Sequence, residues 1–160
     1  MNDPQQLTHV DAAGAARMVD VSGKAVSVRR AVAAGVVRTR SDVIELLRRD
    51  GLPKGDALAV ARIAGIMGAK RTPDLVPLCH PIALHAVSVD FDLTETTVEI
   101  TAVTTTADRT GVEMEAMTAV AAAGLALIDM VKAVDPAAFI EGVRVLRKEG
   151  GKTGDWVRPA

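Results

Sequence analysis

Residues 87–100 read VSVDFDLTETTVEI, and apolar and polar residues alternate on both sides of a short polar break. Val87, Val89, Phe91 and Leu93 fall on one face of an extended chain, with Ser88, Asp90 and Asp92 on the other. Val98 and Ile100 resume the alternation after Glu95-Thr96, which predicts an antiparallel hairpin with one face turned to a core. Further on, Thr110-Gly111-Val112-Glu113 matches a capping box and predicts the start of the longest helix, running to about Val134 with Pro136 just beyond it. That helix is apolar nearly all round, which predicts burial on most sides. A last strand is expected over Val143–Leu146.

Before the hairpin, Met18, Val19 and Val21 read as a strand, Ser22-Gly23 as a turn, and Ala25–Val28 as the returning strand. Val36 and Val37 continue the extended chain past Gly35. Ser41 and Asp42 can open a helix with Val43, Ile44, Leu46 and Leu47 as its apolar stripe, stopped by Gly51 and Pro53. Asp56 is a good N-cap for a second helix, with Leu58, Ile63, Ile66 and Met67 on its apolar face and Lys70-Arg71 at its end. Pro73, Pro77 and Pro81 then punctuate an ordered loop carrying Leu78, Cys79 and His80. The order is strand, two helices, two strands, helix, strand. This predicts an α+β, ferredoxin-like βαββαβ sandwich with an antiparallel sheet and an extra N-terminal hairpin strand. Neither an internal repeat nor a linker is visible. A single domain over residues 1–160 is expected, with 1–15 a flexible tail and 150–160 a flexible C-terminal segment.

Composition narrows the function. Aromatic residues make up 2% of the 160, with no Tyr, so stacking platforms for single-stranded nucleic acid are lacking. The formal net charge is -1, which supplies no global field for DNA or RNA. An anionic ligand must therefore meet a local cluster of cations. The single cysteine, Cys79, allows neither an internal disulfide nor a Cys-rich metal site from this chain alone, which fits a reducing cytosol. The longest apolar run, Ala116 to Ile128, is shorter than the roughly 18 residues that a membrane span needs. No nucleic-acid or membrane partner is expected.

Several side chains could carry chemistry. Asp129 and Lys132 stand at i, i+3 near the end of the long helix, where a simple ion pair competes with an acid–base pair tuned by desolvation. His80 lies between prolines that restrict its backbone, and it is either an acid–base group or a loop histidine bonded to a carbonyl. Cys79 beside it reads better as a small buried hydrophobe than as a nucleophile. His9 and His85 have no supporting context. Glu113 and Glu115 suit the first turn of a helix for purely structural reasons, and Met114 alone reads as core. Arg29-Arg30, Lys54, Lys70-Arg71, Lys148 and Lys152 border breaks in the chain and could together hold a polyphosphate. Gly151-Lys152-Thr153 looks like the end of a P-loop but fails on spacing, since Leu146 stands where the first Gly belongs and no helix follows.

A resemblance adds to this reading. Leu7-Thr8-His9-Val10-Asp11, Met18-Val19-Asp20-Val21-Ser22, Lys54-Gly55-Asp56, Arg62-Ile63-Ala64-Gly65-Ile66 and Ala69-Lys70-Arg71-Thr72 are similar to stretches of the MoaC family. So are Pro77-Leu78-Cys79-His80-Pro81, Thr110-Gly111-Val112-Glu113-Met114-Glu115-Ala116, Asp129-Met130 with Lys132-Ala133-Val134, and Gly150-Gly151-Lys152 with Gly154-Asp155. The matches run in order from Leu7 to Asp155. Arg109 stands where a Lys is also common, which keeps the charge. The resemblance implies a cyclic pyranopterin monophosphate synthase of molybdenum cofactor biosynthesis. Such an enzyme converts 3′,8-cyclo-7,8-dihydro-GTP, received from a preceding radical enzyme, and releases pyrophosphate. It implies a cytoplasmic hexamer built as a trimer of dimers, with sites at dimer interfaces. It also implies that Asp129 is an active-site residue with Lys132 as its close partner; with His80, both are taken as catalytic because acid–base groups suit the ring rearrangement. Leu78, Cys79, His80, Met114, Glu115 and Glu113 would line the substrate, and Arg29, Lys54, Lys148 and Lys152 would surround its triphosphate. No cofactor is required; a Mg²⁺ could accompany the triphosphate, although no carboxylate cluster demands one.

Overall fold

The computed structural model describes residues 8–49, 51 and 56–160. The elements run β1 (Ser27–Arg38), α1 (Ser41–Arg48), α2 (Ala57–Lys70), α3 (Thr72–Leu75), β2 (Ala86–Leu93), β3 (Thr97–Asp108), α4 (Glu113–Val131), β4 (Phe139–Glu149) and β5 (Trp156–Val157). They build one five-stranded sheet in the order β2-β3-β1-β4-β5, antiparallel throughout.

The expected hairpin is β2–β3, with Leu93 opposite Val98 and Val89 opposite Ala102. Val98, Ile100, Ala102, Thr104 and Thr106 alternate along β3 on the buried face, as Ala31, Ala33, Gly35 and Val37 do along β1. The period of two puts one apolar row per strand under the helices. Asp56 caps α2 as expected, its Oδ1 accepting from the Ala59 N–H at 2.9 Å.

Four expectations change. Met18–Val21 is not a strand: this segment is a loop whose Val19 carbonyl is taken by the His80 side chain at 2.7 Å, and just beyond it Arg109 holds the Lys24 carbonyl at 3.0 Å. The fifth strand lies instead in the C-terminal segment, where Trp156 and Val157 pair with Lys148 and Arg147. The capping box does not form: α4 begins at Glu113, and its N-cap, Val112, makes no side-chain cap. The carbonyl of Val112 instead accepts from the buried Thr104 hydroxyl at 2.9 Å, which ties the helix start to the sheet. The last strand is also longer than the expected Val143–Leu146, because pairing with β1 extends it to Phe139 and Glu149.

The apolar face of α2 is the fourth correction. Ala57, Ala61, Gly65 and Ala69 are buried, whereas Ile63 and Met67 are more than half exposed. Small residues win the inner face because α2 packs directly on α4. A Cβ at Gly65 would lie 2.9 Å from the Ala119 carbonyl, 3.0 Å from Val89 and 3.2 Å from Ala123. Gly65→Ala should therefore push the helices apart and cost about 1–3 kcal/mol of unfolding free energy, read by urea denaturation; an unchanged midpoint would refute this contact.

By length and apolar composition α4 could cross a membrane. It packs against α2, β1, β3 and β4 with ten residues buried, which is the position of a core helix. Its start faces one end of the sheet and its end faces the other.

Candidate active site

The start of α4, the loop before β2 and the segment around Val19 enclose a cleft of about 320 Å³. Leu78, Cys79, His80, Glu113, Met114 and Glu115 all line it, so six residues expected around the substrate come together. The loop is fixed at several points. Val76 N–H bonds the Thr72 carbonyl at 2.8 Å, Cys79 N–H bonds the Val76 carbonyl at 3.0 Å, and the Thr106 hydroxyl donates to Ala83 at 2.6 Å. His80 donates from Nε2 to the Val19 carbonyl at 2.7 Å. A carbonyl only accepts, so the neutral ring carries its proton on Nε2 and its lone pair on Nδ1. The carbonyl-bonded histidine weighed in the sequence is thus what the geometry contains, inside a cleft.

Glu115 is the most perturbed group here. It is buried, and that burial raises its pKa from 4.5 to about 7, with the nearby Glu113 charge adding to the effect. A carboxyl poised near neutrality can give or take a proton. Burial also pushes the Cys79 thiol up, helped by Glu115, which keeps it protonated and unreactive.

A second cleft of about 390 Å³ adjoins the first, and Thr8, Val19, Lys24, Gly111 and Glu113 line both. Five cationic side chains wall it: Lys24, Arg29, Arg30, Lys148 and Lys152, against the carboxylates of Asp20, Glu113 and Glu149. Arg29 is aimed by its Nε bond to the Asp108 carbonyl at 3.0 Å. Lys148 donates to Thr153 at 2.5 Å. The turn carrying Lys152 needs glycine at Gly150 and Gly151, both with φ above +80°, and Asp155 closes it by accepting from the Gly150 N–H at 3.0 Å. Asp20 is held ionised mainly by the Ser22 N–H at 2.9 Å.

The remaining expected residues fall elsewhere. Lys54 lies outside the described residues. Asp129 and Lys132 form an ion pair at 2.6 Å, but both side chains are more than half exposed, so the partly desolvated lysine expected from the sequence is not found. They line neither cleft. Along the helix axis, Asp129 stands about 24 Å from Glu113. Conversely, His9 and Lys24 line the first cleft, although nothing around His9 singles it out in the sequence and Lys24 draws no attention there. The only signal for His9 was its place in the matched stretch over residues 7–11, and Lys24 had none. Among the described residues, no group of three or more His, Cys, Asp or Glu side chains stands at metal-binding spacing.

Comparison with known proteins decides the family. The MoaC family model matches residues 18–151. The chain belongs to the MoaC family. It is 64% identical over 157 residues to a cyclic pyranopterin monophosphate synthase of Streptomyces coelicolor, covering 98% of this chain and 92% of that one. A protein of the same name from Nocardioides sp. is 59% identical over 161 residues, 99% of each chain. Cyclic pyranopterin monophosphate synthase 2 of Mycobacterium tuberculosis is 59% identical over 153 residues, 96% of this chain and 92% of its own. The family match runs from Met18 to Gly151, and so includes the first-cleft motif at Leu78–His80 and Gly150-Gly151 beside the second cleft of this MoaC protein, while the wall residues Thr8, His9, Lys152 and Thr153 fall outside it.

Proposed function

We propose that this MoaC protein converts 3′,8-cyclo-7,8-dihydro-GTP to cyclic pyranopterin monophosphate and pyrophosphate, as a step in molybdenum cofactor biosynthesis. The observation that carries this reading is the adjoining pair of clefts, one lined with acid–base groups and one with cations. The heterocycle sits in the first, where Glu115 and His80 can shuttle protons as one ring opens and another forms. The triphosphate sits in the second. Cyclisation follows when a hydroxyl oxygen attacks the α-phosphorus and the bond to the bridging oxygen breaks. The hydroxyl proton passes to a base, and pyrophosphate leaves into the field of Arg29, Lys148 and Lys152.

Lys132 and Asp129 enter from a second copy of the chain. The long separation within one chain supports this, as does apolar surface left open on two helices: Val60, Ile63 and Met67 on α2 and Leu125 on α4. The assembly is read as a hexamer, a trimer of dimers, in the cytoplasm, taking its substrate from the preceding radical enzyme. Lys54 joins the phosphate cations, and a Mg²⁺ could travel with the triphosphate. The strand order β2-β3-β1-β4 and the helices between β1 and β2 and between β3 and β4 support a ferredoxin-like sandwich, with β5 as an addition.

Purified protein incubated with 3′,8-cyclo-7,8-dihydro-GTP and no partner should release pyrophosphate and form the pterin. Binding without release would instead make the chain a carrier.

A further inference from the structure

Gly111 lines both clefts and stands two residues before Glu113. Its backbone lies outside the left-handed region, so conformational freedom is not what the glycine supplies. What it supplies is room. A Cβ built there would meet the Glu113 carboxylate, with Cδ at 2.7 Å and Oε1 at 2.8 Å, and its three nearest atoms all belong to that carboxylate. The folded-back carboxylate stands 4.0 Å from the Lys148 ammonium. The residue between, Val112, is pinned by the Thr104 hydroxyl on its carbonyl. Glu113 is therefore held over the boundary of the two clefts by a gap in the chain beside it.

We infer that Gly111 is a positioning residue: the space left by its missing side chain seats the Glu113 carboxylate at the junction of the clefts, where it steers Lys148 and divides the ring compartment from the phosphate compartment. The alternative, that Gly111 serves folding, predicts different behaviour. The group that a methyl would displace is the end of a flexible side chain, so the fold accommodates the change while the carboxylate moves. The inference deepens the synthase reading, and only its kinetic consequence rests on that reading.

The test is a double-mutant cycle with Gly111→Ala, Glu113→Ala and the pair. Gly111→Ala should keep its melting temperature and lose roughly ten- to a hundredfold in kcat/KM, as displacements of about 1 Å in an active site do. The loss should fall on KM rather than kcat, since substrate seating is what changes. In the Glu113→Ala background the same methyl should change nothing further. Glu113→Asp, which withdraws the carboxylate by one methylene, should reproduce the loss with Gly111 intact; a Gly111→Ala chain that does not fold is the result of a folding role and overturns the inference. Full activity of Glu113→Asp, or an equal loss from Gly111→Ala with and without Glu113, overturns the inference. If the native protein releases no pyrophosphate, the synthase reading fails by itself. A crystal structure of Gly111→Ala then decides the positioning role: carboxylate displaced from Lys148 supports it, and carboxylate in place overturns it.

Discussion

Lys132→Ala is expected to abolish pyrophosphate release, by about 10²–10⁴ if it removes a general acid–base group, while substrate still binds. Lys132 lines neither of the clefts proposed for the ring and the triphosphate, so affinity has no reason to fall with activity. The decisive version mixes two inactive chains. Under the proposed reading, Glu115→Gln should disable the cleft, and Lys132→Ala the group that the neighbour delivers. In a mixed dimer, one site combines the intact cleft of the Lys132→Ala chain with the intact Lys132 of the other. Random pairing in equal amounts should restore about a quarter of native activity, since half the dimers are mixed and each has one complete site. Exchange of subunits followed by a pyrophosphate assay reads the result. If mixing restores nothing, the cleft and Lys132 do not meet across an interface. If Lys132→Ala alone turns over normally, the residue has no part in the reaction.

Glu115→Gln should alter both the pH dependence of stability and that of turnover. The folded chain holds the Glu115 proton up to about pH 7, chiefly through burial, whereas the unfolded chain releases it near its ordinary 4.5. The stabilisation linked to this proton is complete below pH 4.5 and is lost as the pH rises through 7. Glutamine keeps the shape of the protonated acid and never ionises. At pH 8 the variant should be more stable than the native protein by about 2 kcal/mol, less than the whole shift implies because the cleft admits some water. Near pH 4 the two should coincide. Urea unfolding at both values measures the difference. Turnover should fall by about 10²–10⁴, and the native pH–rate limb near neutrality should vanish with it. Native and variant proteins that lose stability in parallel with rising pH would show that Glu115 titrates normally.

The sequence by itself determined the elements whose signal is local. The β2–β3 hairpin follows from alternation along Val87–Leu93 and Val98–Ile100, and the α2 cap follows from Asp56. Six residues of the first cleft were legible as contiguous motifs, because each stretch folds as a unit: Leu78–His80 in one loop, and Glu113–Glu115 in one helical turn.

Only the tertiary structure decided the rest. Which face of α2 is inward could not be read from hydrophobicity, since close packing at Gly65 and Gly68 against Ala119, Ala122 and Ala123 rewards small side chains over large ones. The segment 18–21 has strand-like residues, yet the Val19 carbonyl is taken by the His80 side chain, a contact across 61 residues that no local pattern encodes. The pKa of Glu115 depends on burial, which a first-turn position does not predict. The separation of Asp129 and Lys132 from both clefts appears only when α4 is laid straight across the sheet. One helix then carries the cleft residues at its start and the ion pair at its end, because a straight α-helix rises about 1.5 Å per residue and cannot fold back on itself.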